Sequence, residues 1–269
     1  MALKSELTLV EKNVVSHLRL ELIKSVVKSV EEQEKARGRA KQRDLRRQIS
    51  TSMYEIAQEL SSAYSKGGAR ELMAKAKQLV DEAVKALKEL GYELIDLSFV
   101  TTTPLAIGLR NPYTEPLEIA IAWDPYLNLP YIPASSLKGA VASLAWATGS
   151  KLYDLLSKRD EASPIVFLDA YPVDVYGEGG LLAVDIVNPH YREVEGSISE
   201  PESRPTPLRF LVVPKGVAFR VASGIARRWL AFRGQLDVKE LESLIVQALS
   251  RGIGAKTSLG YGRFKSSGP

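Results

Sequence analysis

The stretch Gly91-Tyr-Glu-Leu-Ile-Asp-Leu-Ser-Phe-Val-Thr-Thr-Thr-Pro104 divides the chain into two kinds of sequence. Within it apolar and polar residues alternate, β-branched residues crowd the end, and a proline closes it, which together mark a strand. Gly91 stands just before, where a helix that ends in left-handed backbone favours glycine. Everything upstream reads as helix. Residues 1–90 contain no proline and are rich in Ala, Leu, Glu, Lys and Gln, all good helix formers. Leu7, Val10, Val14, Leu18, Val26 and Val30 keep helical spacing, as do Leu72, Ala76, Leu79, Val80, Ala83, Leu87 and Leu90. Lys66-Gly-Gly68 predicts the break before a third helix. The expectation is a helical N-terminal block over 1–91, with apolar stripes that serve the core or a subunit contact.

Downstream, over 92–269, strands and helices mix without a regular βαβ rhythm. A weak strand is predicted at Leu117–Ala122 and a helix from Pro133 to Trp146. Strands follow at Ile165–Val173, Leu181–Val187, Leu208–Val213 and Val217–Ala222. Residues 196–207 carry three prolines and three serines and predict a long exposed loop. Asp237–Ser250 reads as the last helix, before a glycine-rich loop and a short closing strand at Tyr261–Lys265. The class this predicts is α+β with an antiparallel sheet.

The 269 residues suffice for a substantial core, and no apolar run is long enough to span a bilayer. The N-terminus lacks the pattern of a signal peptide, so a cytoplasmic protein is expected. With no cysteine, disulfides, thiolate catalysis and cysteine-ligated zinc are excluded. The net charge is +4, unevenly placed: residues 1–90 hold 18 Lys and Arg against 13 Asp and Glu, the remainder 18 against 19. Lys35 to Arg47 carries seven basic residues against Asp44 alone. Such a run is either a solvated helix face or a contact for a polyanion.

Three motifs carry chemistry. In Arg251-Gly-Ile-Gly-Ala-Lys-Thr-Ser-Leu-Gly-Tyr-Gly-Arg-Phe-Lys265, four glycines (Gly252, Gly254, Gly260, Gly262) sit among four cations and no acid. Glycines permit the turns, and exposed N–H groups with unopposed cations make a cradle for phosphate. Ala255 separates Gly254 from Lys256, which excludes the nucleotide-binding P-loop pattern. In Pro133-Ala-Ser-Ser-Leu-Lys-Gly139, Ser135 and Ser136 fall at a helix start, where free N–H groups favour an anion. Lys138 lies in the first turn, and Gly139 inside the helix predicts close approach by another group. In Asp185-Ile-Val-Asn-Pro-His-Tyr191, His190 is a possible general acid or base, while His17 lies beside an apolar stripe. Asp169, Asp174 and Asp185 show no metal-ligand spacing, and neither metal nor cofactor is expected.

These motifs, in this order, resemble the RAMP superfamily of CRISPR-associated proteins. The Pro-His-Tyr segment and Pro207-Leu-Arg-Phe-Leu-Val-Val-Pro-Lys-Gly216 narrow the resemblance to the sixth-subunit family of the Cmr (type III-B) effector complex. It covers roughly residues 95–265. The resemblance implies a ferredoxin-like (RRM-like) antiparallel sheet core, with an extended loop near 188–207. It implies a non-catalytic subunit that binds CRISPR guide RNA (crRNA) in antiviral defence against foreign RNA. Its implied partners are guide and target RNA, RAMP backbone subunits and small helical subunits, with no membrane. The carry-over onto this chain is Ser135, Ser136 and Lys138, with Gly252, Gly254, Lys256, Gly260 and Gly262; Ala134 departs from a frequent glycine. Thr257, Arg263 and His190 join them as expected RNA contacts, and Tyr261 either stacks on a base or is buried. The alternative is a metal-independent endoribonuclease that processes CRISPR precursor RNA with His190, Lys256 and Tyr261.

Overall fold

The computed structural model describes residues 12–35, 41–65, 69–111, 114, 120–157, 163–176, 179–187, 192–194, 197–199, 208–228 and 237–267. Three helices come first: α1 (Val14–Lys35), α2 (Lys41–Ala63) and α3 (Arg70–Glu89). The break predicted at Lys66–Gly68 lies outside the described residues, between α2 and α3, and Leu7 and Val10 lie outside them too. Gly91 adopts φ +80° and donates to the Lys88 carbonyl at 3.1 Å, so it closes α3 as its sequence position requires. The chain then enters β1 (Tyr92–Thr101).

After β1 come β2 (Trp123–Asp124), β3 (Leu129–Pro130), α4 (Ala134–Thr148), α5 (Leu152–Ser157), β4 (Ile165–Phe167) and β5 (Tyr171–Val175). The remaining elements are β6 (Ala183–Val187), β7 (Arg192–Val194), β8 (Ser197–Ser199), β9 (Leu208–Val212), β10 (Val217–Ala226), α6 (Val238–Arg251) and β11 (Phe264–Ser266). Several boundaries differ from expectation, among them the closing strand, which starts at Phe264 instead of Tyr261 because Tyr261–Arg263 belong to the glycine loop. The strand predicted over 165–173 is cut in two because Ala170 leaves the main sheet and exchanges two 2.9 Å backbone hydrogen bonds with Ile132. Residues 120–122 lie outside strands, although Ala122 donates to the Ile107 carbonyl at 2.8 Å, and 115–119 are outside the described residues. Ser197–Ser199 pairs with Arg192–Val194 instead of extending the loop expected over 196–207. β10 runs on to Ala226 because β1 supplies partners as far as Tyr92.

The main sheet has the order β11-β1-β10-β4, with β5 also on β10, and every pairing in it is antiparallel. This is a mixed helix and antiparallel-sheet architecture. Strand alternation gives its faces different tasks. Phe99 and Phe219 are register partners, and Phe219 meets Phe264 edge to face at 6.1 Å. On that side α4 and α6 contribute Leu137, Val141, Leu144, Leu241, Leu244, Ile245 and Leu249 to the core. The opposite face carries Asp96 and Arg220. Arg220 bonds Asp96 at 2.8 and 2.7 Å and also reaches Asp81 of α3, which pins that helix over the sheet. Arg220 beside it holds the Asp81 carboxyl below its usual range.

The buried core runs without interruption from α1–α3 into the sheet. Asn128, held at φ +57°, joins the two: its Oδ1 accepts from Val14 N–H at 2.9 Å and its Nδ2 donates to the Lys12 carbonyl at 2.9 Å. Tyr64 donates to the Asn128 carbonyl at 2.7 Å and meets Trp123 edge to face at 5.4 Å. The β6–β9 ribbon rests on α2, with Ser61 Oγ donating to the Leu182 carbonyl and the Arg209 guanidinium 4.4 Å from the Tyr54 ring centre. Among the described residues no helix is long and apolar enough to cross a membrane.

Candidate nucleic-acid interface

α6 starts at Asp237, whose carboxylate accepts from Lys239 N–H at 2.9 Å, and ends where Gly252 takes φ +116°. The next ten residues fold back on the end of β1. Ala255 donates to the Ala106 carbonyl at 2.7 Å, Gly262 to the Pro104 carbonyl at 2.8 Å, and Ile253 to the Gly262 carbonyl at 3.0 Å. Gly254 (φ +86°) and Gly262 (φ +71°) stand where a side chain would run into backbone: a Cβ at Gly254 would lie 2.5 Å from the Ala106 oxygen, and one at Gly262 would overlap the Ile253 oxygen. The glycines thus serve close packing of the loop against its own chain. The sequence predicted a cradle of open amides; most are engaged internally. Among the described residues, those left over belong to Gly254, Lys256, Thr257 and Ser258.

Lys256 sits at the centre of that remainder. Its backbone is left-handed, φ +60° and ψ +26°, and it opens a single 3-10 turn, Thr257–Leu259, closed by Gly260. A residue with a Cβ pays roughly 1–2 kcal/mol to sit there. Its ammonium lies 5.4 Å from the ring centre of Phe210 in β9, within cation–π range. Among the described residues no acid pairs with Arg251, Lys256, Arg263 or Lys265.

Tyr261 links two of the sequence motifs. Its hydroxyl donates to Asp185 Oδ2 at 2.6 Å, and its ring tilts against Phe210 at 6.4 Å. Burial first, and then the Asp185 carboxylate, push the phenol up to about 12. Tyr261 is half-buried, its ring packed beside Phe210 and outside the closing strand. A phenol so held is a weak proton donor at neutral pH. Asp185 opens the segment that carries His190; His190 itself lies outside the described residues.

The α4 motif is arranged differently. Pro133 occupies the cap position, and neither Ser135 nor Ser136 caps the helix with its side chain. Ala134 N–H donates to Asp169 Oδ1 at 2.7 Å, and Ser136 N–H to the Pro133 carbonyl at 2.8 Å. A protein carboxylate therefore takes part of the anion position that the sequence assigned to a phosphate. Ser135 and Gly139 are exposed, and a Cβ at Gly139 would meet nothing within 4 Å; the close approach predicted there does not come from the described residues. Among the described residues no hydrogen bond or ion pair joins Ser135, Ser136 or Lys138 to the glycine loop.

Sequence reading missed the residues that hold the loop. The Arg263 carbonyl accepts from Thr102 N–H at 2.8 Å and Thr102 Oγ1 at 3.0 Å, and Arg263 N–H donates to Thr103 Oγ1 at 3.0 Å. Two threonines directly after a strand, Thr102 and Thr103, were the available signal. Asp169 and Phe210 gave none, since each acts across a long separation in sequence.

With this geometry in view, known proteins bear on it. The model of the RAMP superfamily matches residues 98–265. The CRISPR system CMR subunit Cmr6 of Saccharolobus solfataricus is 29% identical over 231 residues, which span 84% of this chain and 75% of that one. The Cmr6 subunit of Pyrococcus furiosus is 36% identical over 121 residues, 42% of this chain and 34% of its own length. In fold, a chain of the cryo-EM structure of the type III-B Cmr-beta bound to cognate target RNA matches with a TM-score of 0.74 at 24% identity. That match covers 96% of this chain and 91% of that one.

Proposed function

The chain belongs to the RAMP superfamily, and on that premise we propose that it is a non-catalytic, guide-RNA-binding subunit of a type III-B Cmr effector complex, acting in defence against foreign RNA. Both curated relatives carry the name Cmr6, and the structural neighbour comes from a Cmr assembly bound to target RNA. Guide RNA, target RNA, the RAMP backbone subunits and the small helical subunits are its partners in this reading. The core is ferredoxin-like: the order β11-β1-β10-β4, with α4 and α6 as the two crossing helices, supports that assignment.

The observation that carries the reading is Lys256. It combines an unfavourable left-handed backbone, neighbouring amides without partners among the described residues and a charge opposed by no described acid. Strain of this kind persists where surrounding structure enforces it, and it clusters at ligand clamps. Lys256 and Arg263 contact phosphates, and the amides of Thr257 and Ser258 support the chain without reading its sequence. Gly252, Gly254, Gly260 and Gly262 shape the turn; Ser135, Ser136, Lys138 and His190 complete the set of RNA contacts. The engagement of the Tyr261 hydroxyl by Asp185 supports a binding role over cleavage.

The test uses the purified chain and labelled repeat-derived guide RNA without metal. Binding without specific cleavage is expected. Specific cleavage that disappears in His190→Ala contradicts the non-catalytic role, and absence of guide crosslinks in the reconstituted complex contradicts the RNA-binding role.

A further inference from the structure

At the end of β1 an open groove of about 730 Å³ is lined by Val100, Thr101, Thr102, Tyr176, Lys215, Gly216, Lys265, Ser266 and Ser267. None of these residues is acidic and none belongs to α3, the helix that covers the rest of this sheet face. Its floor is β1, one wall is β11, and the other is the turn before β10, tied on by Gly216 N–H donating to the Thr101 carbonyl at 2.8 Å and Tyr176 N–H donating to the Gly216 carbonyl at 2.7 Å. Tyr176 is 61% exposed, and Lys215 and Lys265 are exposed as well. Neither lysine pairs with an acid among the described residues.

The groove adjoins the glycine loop. Arg263 and Lys265 are exposed while Phe264 between them is buried, so on an extended segment the two cations share one side. Thr102, on the groove wall, holds the Arg263 carbonyl. A row of cations therefore leads from the loop over Arg263 and Lys265 towards Lys215, past an aromatic ring presented to solvent. Exposed aromatics beside a cationic track are what single-stranded nucleic acid uses, with bases stacked and phosphates neutralised.

We infer that this groove is a second RNA site, which takes one or two unstacked nucleotides with phosphates on Lys215 and Lys265 and a base on Tyr176. The inference rests on the RNA-binding reading above. It also assigns a task to α3: by closing the remainder of the face it confines the strand to the sheet end. An acidic peptide from a neighbouring subunit is the competing occupant; the continuity of the groove with the exposed Arg263 and Lys265 of the glycine loop favours RNA.

The test is fluorescence anisotropy of the full chain with labelled oligouridine over a salt titration, alongside reconstitution with the other Cmr subunits. Lys215→Ala with Lys265→Ala is expected to lower affinity and reduce the slope of log K against log salt by about 0.7 per lysine. Tyr176→Ala is expected to weaken binding by about fivefold to a hundredfold with the slope unchanged, and Tyr176→Phe to retain it. If the lysine pair leaves affinity and slope unchanged while Arg263→Ala lowers both, the groove assignment is overturned and the RNA-binding reading stands. If the groove variants bind RNA normally yet fail to assemble, the surface is a protein contact and the inference is overturned. No binding by the unaltered chain overturns the RNA-binding reading itself.

Discussion

A Cβ placed on Gly254 or Gly262 would strike a backbone carbonyl, that of Ala106 or Ile253, whereas one placed on Gly139 would meet none of the described residues. Both segments carry Gly, Lys and hydroxyls, and both predict a phosphate site. In the loop, the glycines answer the chain's own crowding, and only the short run from Gly254 to Ser258 has amides to spare. At α4, Asp169 already occupies the helix start, while Gly139 is exposed with no described residue against it. Glycine therefore reports a close approach without naming the approaching group; the surrounding chain has to be known before an internal neighbour can be told from an external one.

That contrast can be broken at three places. The largest effect is expected of Gly262→Ala, where left-handed backbone and overlap with Ile253 act together; it should cost about 3 kcal/mol or more in chemical denaturation. A loss under about 1 kcal/mol would mean the loop is less closed than described. Next, Tyr261→Phe removes the hydrogen bond to Asp185 and should cost about 1–2 kcal/mol. The pH dependence has a definite sign. The folded state raises the Tyr261 phenol from 10.0 to about 12, so its stabilisation is complete below pH 10 and is lost as pH rises towards 12. Denaturation curves across that window should lose this component in Tyr261→Phe. Smallest of the three, Gly139→Ala should stabilise the isolated chain by up to about 1 kcal/mol. Measured in parallel, its RNA affinity sharpens the comparison: a drop marks the open space as a contact, and an unchanged value confines RNA to the loop side.

The fold was legible wherever the signal was local. Alternation over Tyr92–Thr101, Gly91 closing α3 and Asp237 opening α6 each follow from a few adjacent residues. Long-range pairing was not legible. Nothing in Ile165–Val173 announces that Ala170 will bond Ile132 and split the strand. The glycine loop was found from composition, but its partners Pro104 and Ala106 lie about 150 residues away in the chain. Tyr176 was passed over because no motif contains it, and Lys215 because the Pro207–Gly216 segment entered only through the resemblance; the two share a wall only through the turn that precedes β10. The apolar stripe of α1 was legible as a pattern and divided in use: Val14 and Leu18 are buried, while Val26 and Val30 are exposed.

Lys256 tests the account most directly, through Lys256→Gly. Glycine relieves the left-handed backbone and gives up the contact with Phe210, so stability should stay within about 1 kcal/mol of the original. Guide-RNA affinity, measured over a salt titration, should fall, with the slope reduced by about 0.7. Unchanged affinity and slope in a stably folded Lys256→Gly variant would contradict the claim that this loop holds the RNA backbone.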